Sequence, residues 1–419
     1  MMATTSRATG SAQAATAQAY QATYLAAAQD ALRLASRRDR FRPVAVVSFA
    51  QSRTVEREDH LNEVEMLMPV VAEALGAAGI TKKELGFVCS GSSDYLVGAP
   101  FSFVMALDAV GAWPPMRESH VEMDGAFALY EAWTMLQDED MDTALVYSFG
   151  RSSPGDIRRV LAMQLDPYVE APMWPDHVAI AALQARALVD SGKLSEKEMA
   201  EIALRSWHDA MSSPTAQVAR EAGLEELLAE DYLVSPLRPH AVAPVGDGAA
   251  AVVLAAGEKA LELAEHPAWI TGIDHRIEPS SLGARDLTVS GSTRLAGIGA
   301  GVVSPGADDL GVTGGAAVEI PEVDLAELHA PFAHQEPLIA EALGLDASVR
   351  LNPSGGALSA NPLMVAGLAR IGEAARRVMD GSARVAVAHA TSGPCLQQNL
   401  VCLLAAEAEA GGAVSGRGA

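Results

Sequence analysis

Four segments of the chain carry side chains able to do chemistry. Ala326–Glu336 (AELHAPFAHQE) sets His329 and His334 on either side of an apolar Pro-Phe turn. Their spacing is not that of a strong metal motif, and a structural or solvated role is the plainer alternative for either ring. Ala388–Gln397 (AHATSGPCLQ) is a small-residue loop after a strand-like run, and it holds His389 and Cys395. A His near a Cys supports an activated thiolate; a buried, inert Cys is the competing reading. Leu351–Leu363 (LNPSGGALSANPL) is a Gly-rich loop ahead of a long helix. It would offer a ligand the backbone around Gly355, Gly356 and Ser359, with the Asn361 amide near the helix start. Partial positive charge gathers there, and a developing enolate or oxyanion is stabilised by it. A tight loop with Asn361-Pro362 as a helix entry explains the same residues. Pro244–Leu254 (PVGDGAAAVVL) contains the turn signal Asp247-Gly248, then small residues that let a strand pack closely on a helix.

These segments need elements to position them. Buried-strand patterns fall at Val44–Phe49, Phe87–Cys89, Thr143–Phe149, Ala249–Ala255, Val323–Leu328, Val385–His389 and Leu400–Leu404. Helical patterns fall between them: Leu61 to Leu75, closed by Gly79, then Ala126–Leu136, Lys259–Ala264, Glu336–Leu343 and Met364–Val378. Alternation of the two kinds predicts an α/β fold. Residues 151–239 break the habit. They are polar, helical and rich in proline, and they read either as a lid over a site or as a plain helical subdomain. Residues 1–42 read as an extension, with an Ala-rich helical stretch from Ala12 to Ala35 before Arg37-Arg38-Asp39-Arg40. Residues 409–419 read as a frayed tail.

Bulk properties narrow the function. A chain of 419 residues with 49% hydrophobic content can bury a large core, in two units of similar size or in one large α/β body. The formal charge of −23 argues against nucleic-acid binding, and it requires any anionic ligand to find a local basic patch. Three cysteines, Cys89, Cys395 and Cys402, are too few for a disulfide framework and fit a reducing cytoplasm. No apolar run has transmembrane length, and no signal-peptide pattern opens the chain.

In order along the chain, GDGAAAVVLA, ELHAPFA, NPSGGALSANPLMVAGL and AHATSGP resemble the thiolase superfamily, in its lipid-transfer and sterol-carrier branch. The likeness covers most of Pro43–Leu404. It implies two βαβαβαββ halves related by a pseudo-two-fold axis and stacked as five α/β/α/β/α layers. The halves would span 43–265 and 266–408, with 151–239 as a loop domain over a CoA channel. It also implies a CoA thioester as substrate, held at Gly355, Gly356, Ser359 and Asp247, with no permanently bound cofactor and no metal, dimerisation through the first half, and in some relatives a small zinc-ribbon/OB-fold companion protein.

The departures from that family bear on the chemistry. Thiolases open a buried helix with a nucleophilic Cys in a Cys-x-Ser-Gly turn. The matching stretch here is Val121–Ala128 (VEMDGAFA), which places Glu122 at the Cys and Asp124 at the Ser. The family's Gly-His-Pro is Ala360-Asn361-Pro362, so an amide replaces the catalytic His. An amide donates a hydrogen bond to an oxyanion but does not shuttle protons. Cys395 is displaced from the usual acid/base position. Thiolysis lacks its nucleophile. The expected activity is therefore non-covalent C–C cleavage of an acyl-CoA of retro-aldol type, with Glu122, Asp124, His329, Asn361, His389 and Cys395 as candidate groups. Related aldolases are thought to use tyrosines of the second half, whereas all seven tyrosines here lie in the first 232 residues. The alternative is a catalytically inactive acyl-CoA or lipid-binding subunit of a thiolase-like complex.

Overall fold

A computed structural model describes residues 23–408, apart from 112, 114 and 307–320. The stretch 12–22 of the Ala-rich run and the tail 409–419 lie outside the described residues. Within them the strands are β1 (Val44–Gln51), β2 (Phe87–Gly91), β3 (Glu118–Val121), β4 (Thr143–Gly150), β5 (Val245–Gly246), β6 (Gly248–Ala256), β7 (Ala268–Ile277), β8 (Leu325–Leu328), β9 (Arg350–Leu351), β10 (Asn361–Pro362), β11 (Val385–Ser392) and β12 (Gln398–Ala405).

Ten strands join in the order β3-β2-β4-β6-β1-β7-β12-β11-β8-β9. Numbered within its own half, each set reads the same outward from the centre: 1, 5, 4, 2, 3. The fifth strand of each half runs antiparallel to both neighbours, and the outer pairs are parallel. This is the pseudo-two-fold βαβαβαββ repeat. The halves meet where β1 pairs with β7 through Ala45 opposite Trp269 and Val46 opposite Ala268.

The layers follow from burial. β4 and β6 are buried along their whole length, so they read as continuous runs of small and apolar residues instead of alternating ones. The helices Gly125–Met135 and Ala366–Met379 pack together between the two halves of the sheet, in a core with Phe127, Leu129, Val146, Val252, Leu368 and Ile371. Helices Glu63–Ala77 and Ser102–Val110 cover the outer face of the first half. Gly291–Ala300 and Gln335–Ala342 cover that of the second. The result is five layers, α/β/α/β/α. Glycine sets the spacing in the middle: a Cβ on Gly372 would lie 2.2 Å from the Phe49 ring.

Residues 151–239 carry helices Ile157–Ala162, His177–Asp190, Glu196–Ala210 and Leu224–Leu228. The apolar faces of the last three join the core of the second half, and Trp207 Nε1 donates to Leu358 O at 3.1 Å. The extension forms a helix over 23–35, whose Ala28 and Ala31 pack on Leu295 and Ile298. No helix among the described residues is long and apolar enough to cross a membrane.

Two elements had no sequence signal. β7 carries Asp274-His275-Arg276, and helix Gly291–Ala300 contains Gly291, Gly297 and Gly299. They stabilise each other by contact: a Cβ on Gly272 would lie 1.9 Å from Ala300 O, and one on Gly299 would lie 2.1 Å from Asp274 Oδ2. Close packing here overrides weak local propensity.

Candidate active site

A cavity of about 160 Å³ lies where the ends of the two halves meet residues 161–181. Several pieces of chain build it, Val242, Ala243 and Val245 among them. Asp124 opens the central helix Gly125–Met135; His329 follows β8; Asn361 sits on β10; the β11–β12 loop supplies Thr391 to Leu396; and Leu161, Leu165, His177 and Ile180 close it from the insertion.

Asp124 is buried, and its carboxylate accepts three backbone N–H groups at 2.9 Å, from Ala126, Gly367 and Leu368. It therefore caps its own helix and also satisfies the first turn of Ala366–Met379. Burial pushes this carboxyl above its ordinary range, against the three donors and the Arg370 charge. Gly367 makes the approach possible, since a Cβ there would lie 2.5 Å from Asp124 Oδ1.

His329 and Asn361 form one unit. The Thr391 N–H donates to His329 Nδ1 at 3.4 Å, so that nitrogen is the acceptor. Nε2 then carries the proton and donates to Asn361 Oδ1 at 3.2 Å. With its oxygen held, Asn361 turns its Nδ2 donor elsewhere, and no acceptor among the described residues takes it. Burial lowers the His329 pKa to about 4, the Asn361 bond opposes this, and Arg370 adds to it. The ring is neutral at pH 7.

A buried ion cluster stands behind this pair. Glu327, next to Leu328 on β8, binds Arg370 at 2.9 Å and Arg377 at 3.2 Å, and it accepts from Ser354 N at 3.0 Å. It ties the NPSGG loop and the central helix to the strand that delivers His329.

No protein-family profile matches the chain. It is 24% identical over 360 residues to an acetyl-CoA acetyltransferase of Methanocaldococcus jannaschii, covering 79% of this chain and 88% of that one. It is 24% identical over 263 residues to the acetyl-CoA acetyltransferase of Methanothermobacter thermautotrophicus, covering 56% and 64% of the two chains. It is 26% identical over 241 residues to the benzoylsuccinyl-CoA thiolase subunit BbsB of Thauera aromatica, covering 51% and 59%. The chain thus spans less than two thirds of the length of the latter two relatives. Among solved structures, the Ltp2-ChsH2(DUF35) aldolase superposes with a TM-score of 0.68 at 16% identity, covering 87% of this chain and 97% of that one. Human mitochondrial 3-ketoacyl-CoA thiolase superposes with a TM-score of 0.67 at 18% identity, covering 87% and 99%. The chain has the thiolase fold and is similar in sequence to thiolase-superfamily proteins.

Within this fold the site departs from the sequence expectations at several positions. Glu122 does not face the cavity. Its half-exposed carboxylate accepts from Asp94 N at 2.7 Å and lies 3.4 Å from His120 Nε2. The residue that opens the buried helix at the cavity is Asp124. Cys395 lines the cavity, but its thiol is buried against Ile180 O at 3.5 Å, and burial pushes it up to about 12. His389 does not pair with it. That ring is buried, holds Asn399 Oδ1 at 2.9 Å, and is pushed down to about 3 by burial. Cys89 is buried in the central core and is also pushed up to about 12 by burial. No ionised thiol faces the site at neutral pH.

The ligand-binding assignments of the Gly-rich loop and of Asp247 are corrected too. Gly355, Gly356 and Ser359 lie under helix Glu196–Ala210, with Gly355 O taken by the Ser206 hydroxyl and Ser359 Oγ donating to Gly356 O at 2.9 Å. Asp247 is a buried staple: it accepts from Glu58 N at 2.9 Å and from Ser153 N at 3.1 Å. Local sequence reads glycine and turn residues in the same way whether they face a ligand or a packed helix. His177 and Gln335 also line the cavity and were not anticipated. Asp176-His177 at a helix start was the one available signal for the first, and it is an ordinary cap pattern. No described group of three or more His, Cys, Asp or Glu could hold a metal ion.

Proposed function

We propose that the chain processes an acyl-CoA thioester without an acyl-enzyme intermediate, by retro-aldol cleavage of a β-hydroxyacyl-CoA. The observation that carries this reading is the Asn361 amide, locked by a neutral His329 so that its N–H donors are free in a cavity with no ionised thiol. Transfer of the β-hydroxyl proton to the Asp124 carboxylate, which lines the cavity, breaks the Cα–Cβ bond. Cβ leaves as the carbonyl carbon of an aldehyde or ketone, and the electron pair moves into the thioester enolate. Asn361 Nδ2 donates to the enolate oxygen. Asp124, with a carboxyl raised by burial and an Oδ2 holding a single backbone donor, is assigned to returning a proton at Cα. A space of about 160 Å³ holds a group of roughly benzene size, enough for the reacting carbons.

A homodimer through the first half and a small acyl-CoA-binding companion belong to the same proposal. Tyr95, Phe101, Val104 and Met105 are exposed near edge strand β3, and the aldolase neighbour is named together with ChsH2(DUF35).

One observation favours the second reading, a non-catalytic acyl-CoA carrier. The three backbone donors on Asp124 are fully explained by helix capping. The two readings separate on purified protein incubated with a β-hydroxyacyl-CoA. Release of an aldehyde or ketone with acetyl- or propionyl-CoA is expected. Tight binding without turnover, alone and with the companion, would leave the carrier reading.

A further inference from the structure

The first half carries a second hollow, away from the cavity. Its volume is about 290 Å³, with Lys82, Lys83 and Leu85 on one wall and Trp113, Met116 and Arg117 on the other. The first wall immediately precedes β2 and the second immediately precedes β3, and these two strands run parallel. The hollow therefore sits where both strands start. Asp124 follows the end of β3, so the cavity it lines lies at the opposite end of the same strands.

Both walls are pinned. Lys82 Nζ donates to Gly111 O at 2.6 Å, Val88 N donates to Arg117 O at 3.0 Å, and Gly86 N donates to Thr143 O at 3.1 Å. No described Asp or Glu lines the hollow. Glu84, within the first wall segment, turns back on Thr81 and accepts its N–H at 2.8 Å and its hydroxyl at 3.0 Å. Lys83 and Arg117 are exposed, and their side chains make no ion pair or hydrogen bond among the described residues. The Trp113 side chain is 77% exposed and stacks on no ring among the described residues.

In a chain of formal charge −23, three cations around one hollow with no acid on its wall form a local positive field. Lys and Arg donors pair strongly with phosphate oxygens. A bare indole face takes a flat ring by stacking. A neutral ligand leaves the cations unused, and a bare anion leaves the indole in water. The volume is near the lower end for small-molecule sites, roughly 300 Å³.

We propose that this hollow is a nucleoside diphosphate site, separate from the thioester cavity, with the base on Trp113 and the phosphates on Lys82, Lys83 and Arg117. Such a ligand carries about three negative charges at pH 7, which match the three cations. The site does not depend on the chemistry proposed for the cavity.

The test is titration calorimetry of the full chain with ADP, adenosine and inorganic pyrophosphate. ADP is expected to bind with a Kd below about 1 mM, at least about tenfold more tightly than adenosine or pyrophosphate, and to weaken as salt rises. Lys83→Glu and Arg117→Glu should each weaken ADP about tenfold or more. Trp113→Ala should weaken ADP while pyrophosphate stays within about threefold of wild type. All three side chains are exposed, so native circular dichroism is expected, and two charge reversals keep the test decisive if one variant misfolds. The site is overturned by an absence of saturable ADP binding up to about 5 mM, by pyrophosphate binding as tightly as ADP, or by undiminished ADP binding in both charge variants. Displacement of ADP by 3-hydroxyhexanoyl-CoA would also overturn it, since the hollow would then hold the thioester's own nucleotide. The cavity reading is judged separately, by product release from a β-hydroxyacyl-CoA.

Discussion

His329 and Asn361 share one hydrogen bond, with Nε2 on Oδ1 at 3.2 Å, and it decides which way the amide faces. The ring itself is oriented by the Thr391 N–H on Nδ1. An orienting histidine thus stands behind an amide, and the amide donor is what a substrate oxygen meets.

Asn361→Ala removes that donor and leaves His329 Nε2 unpaired. Cleavage is expected to fall by about two to three orders of magnitude, the usual cost of one oxyanion donor. The orphaned ring nitrogen should also cost about 1–3 kcal/mol of stability, measured by urea unfolding. A variant with full turnover would remove Asn361 from the chemistry.

Asp124 and Glu122 should separate cleanly. Asp124→Ala strips the acceptor from three buried N–H groups at two helix starts, and a loss of about 3 kcal/mol or more is expected. Glu122→Gln, at a half-exposed site, should change stability by less than about 1 kcal/mol and leave turnover intact. The assignment of Asp124 to the site would be sunk if the Glu122 variant were the inactive one.

Gly367→Ala probes the same junction from the other helix. The added Cβ would meet Asp124 Oδ1 at 2.5 Å and Ala390 Cβ at 2.7 Å. A destabilisation of about 1–3 kcal/mol is expected from overpacking between rigid elements. A melting temperature equal to wild type would mean the two helices separate freely.

Arg370→Met leaves the buried Glu327 without its nearest cation. A cost of about 3–5 kcal/mol is expected, and Glu327→Leu in the same chain should recover much of it. Double-mutant denaturation measures the coupling. Additive losses would show that the pair is not the tie between β8 and the central helix.

His334 sets a pH signature. Burial pushes its pKa down to about 3, below the ordinary value near 6.5. The unfolded chain therefore takes up a proton at His334 that the folded chain does not. Its contribution is present above about pH 6.5 and is lost as pH falls toward the folded pKa. Relative to His334→Gln, wild type should lose about 1.4 kcal/mol per pH unit between about pH 6 and 4. Parallel stability curves for the two proteins over that range would show that the ring is not buried neutral.

Much of the molecule was legible in the chain. Long apolar runs such as TALVYSF and GAAAVVLAA are strands because both their faces are buried, and the central helix 366–379 announces itself by period. β7 and helix 291–300 were silent, since polar residues and glycines there are tolerated only through mutual close packing. At the site, the residue types around Asp124, His329 and Asn361 could be read along the chain, while side-chain direction could not. Glu122 and Asp124 are two residues apart, and a single turn sends one carboxylate to the surface and the other under two helices.

By itself the sequence determined the α/β repeat, the acidic and cysteine-poor character, and the lack of a Cys at the helix start, because composition, period and residue identity are local properties. Only the tertiary structure decided that His329 holds Asn361, that Cys395 is an un-ionised wall residue, that the glycine loop is buried under the insertion, and that His177 and Gln335 share the cavity. Those facts depend on burial and on partners from distant parts of the chain, which fix proton positions and the free face of each group, and no run of neighbouring residues encodes them.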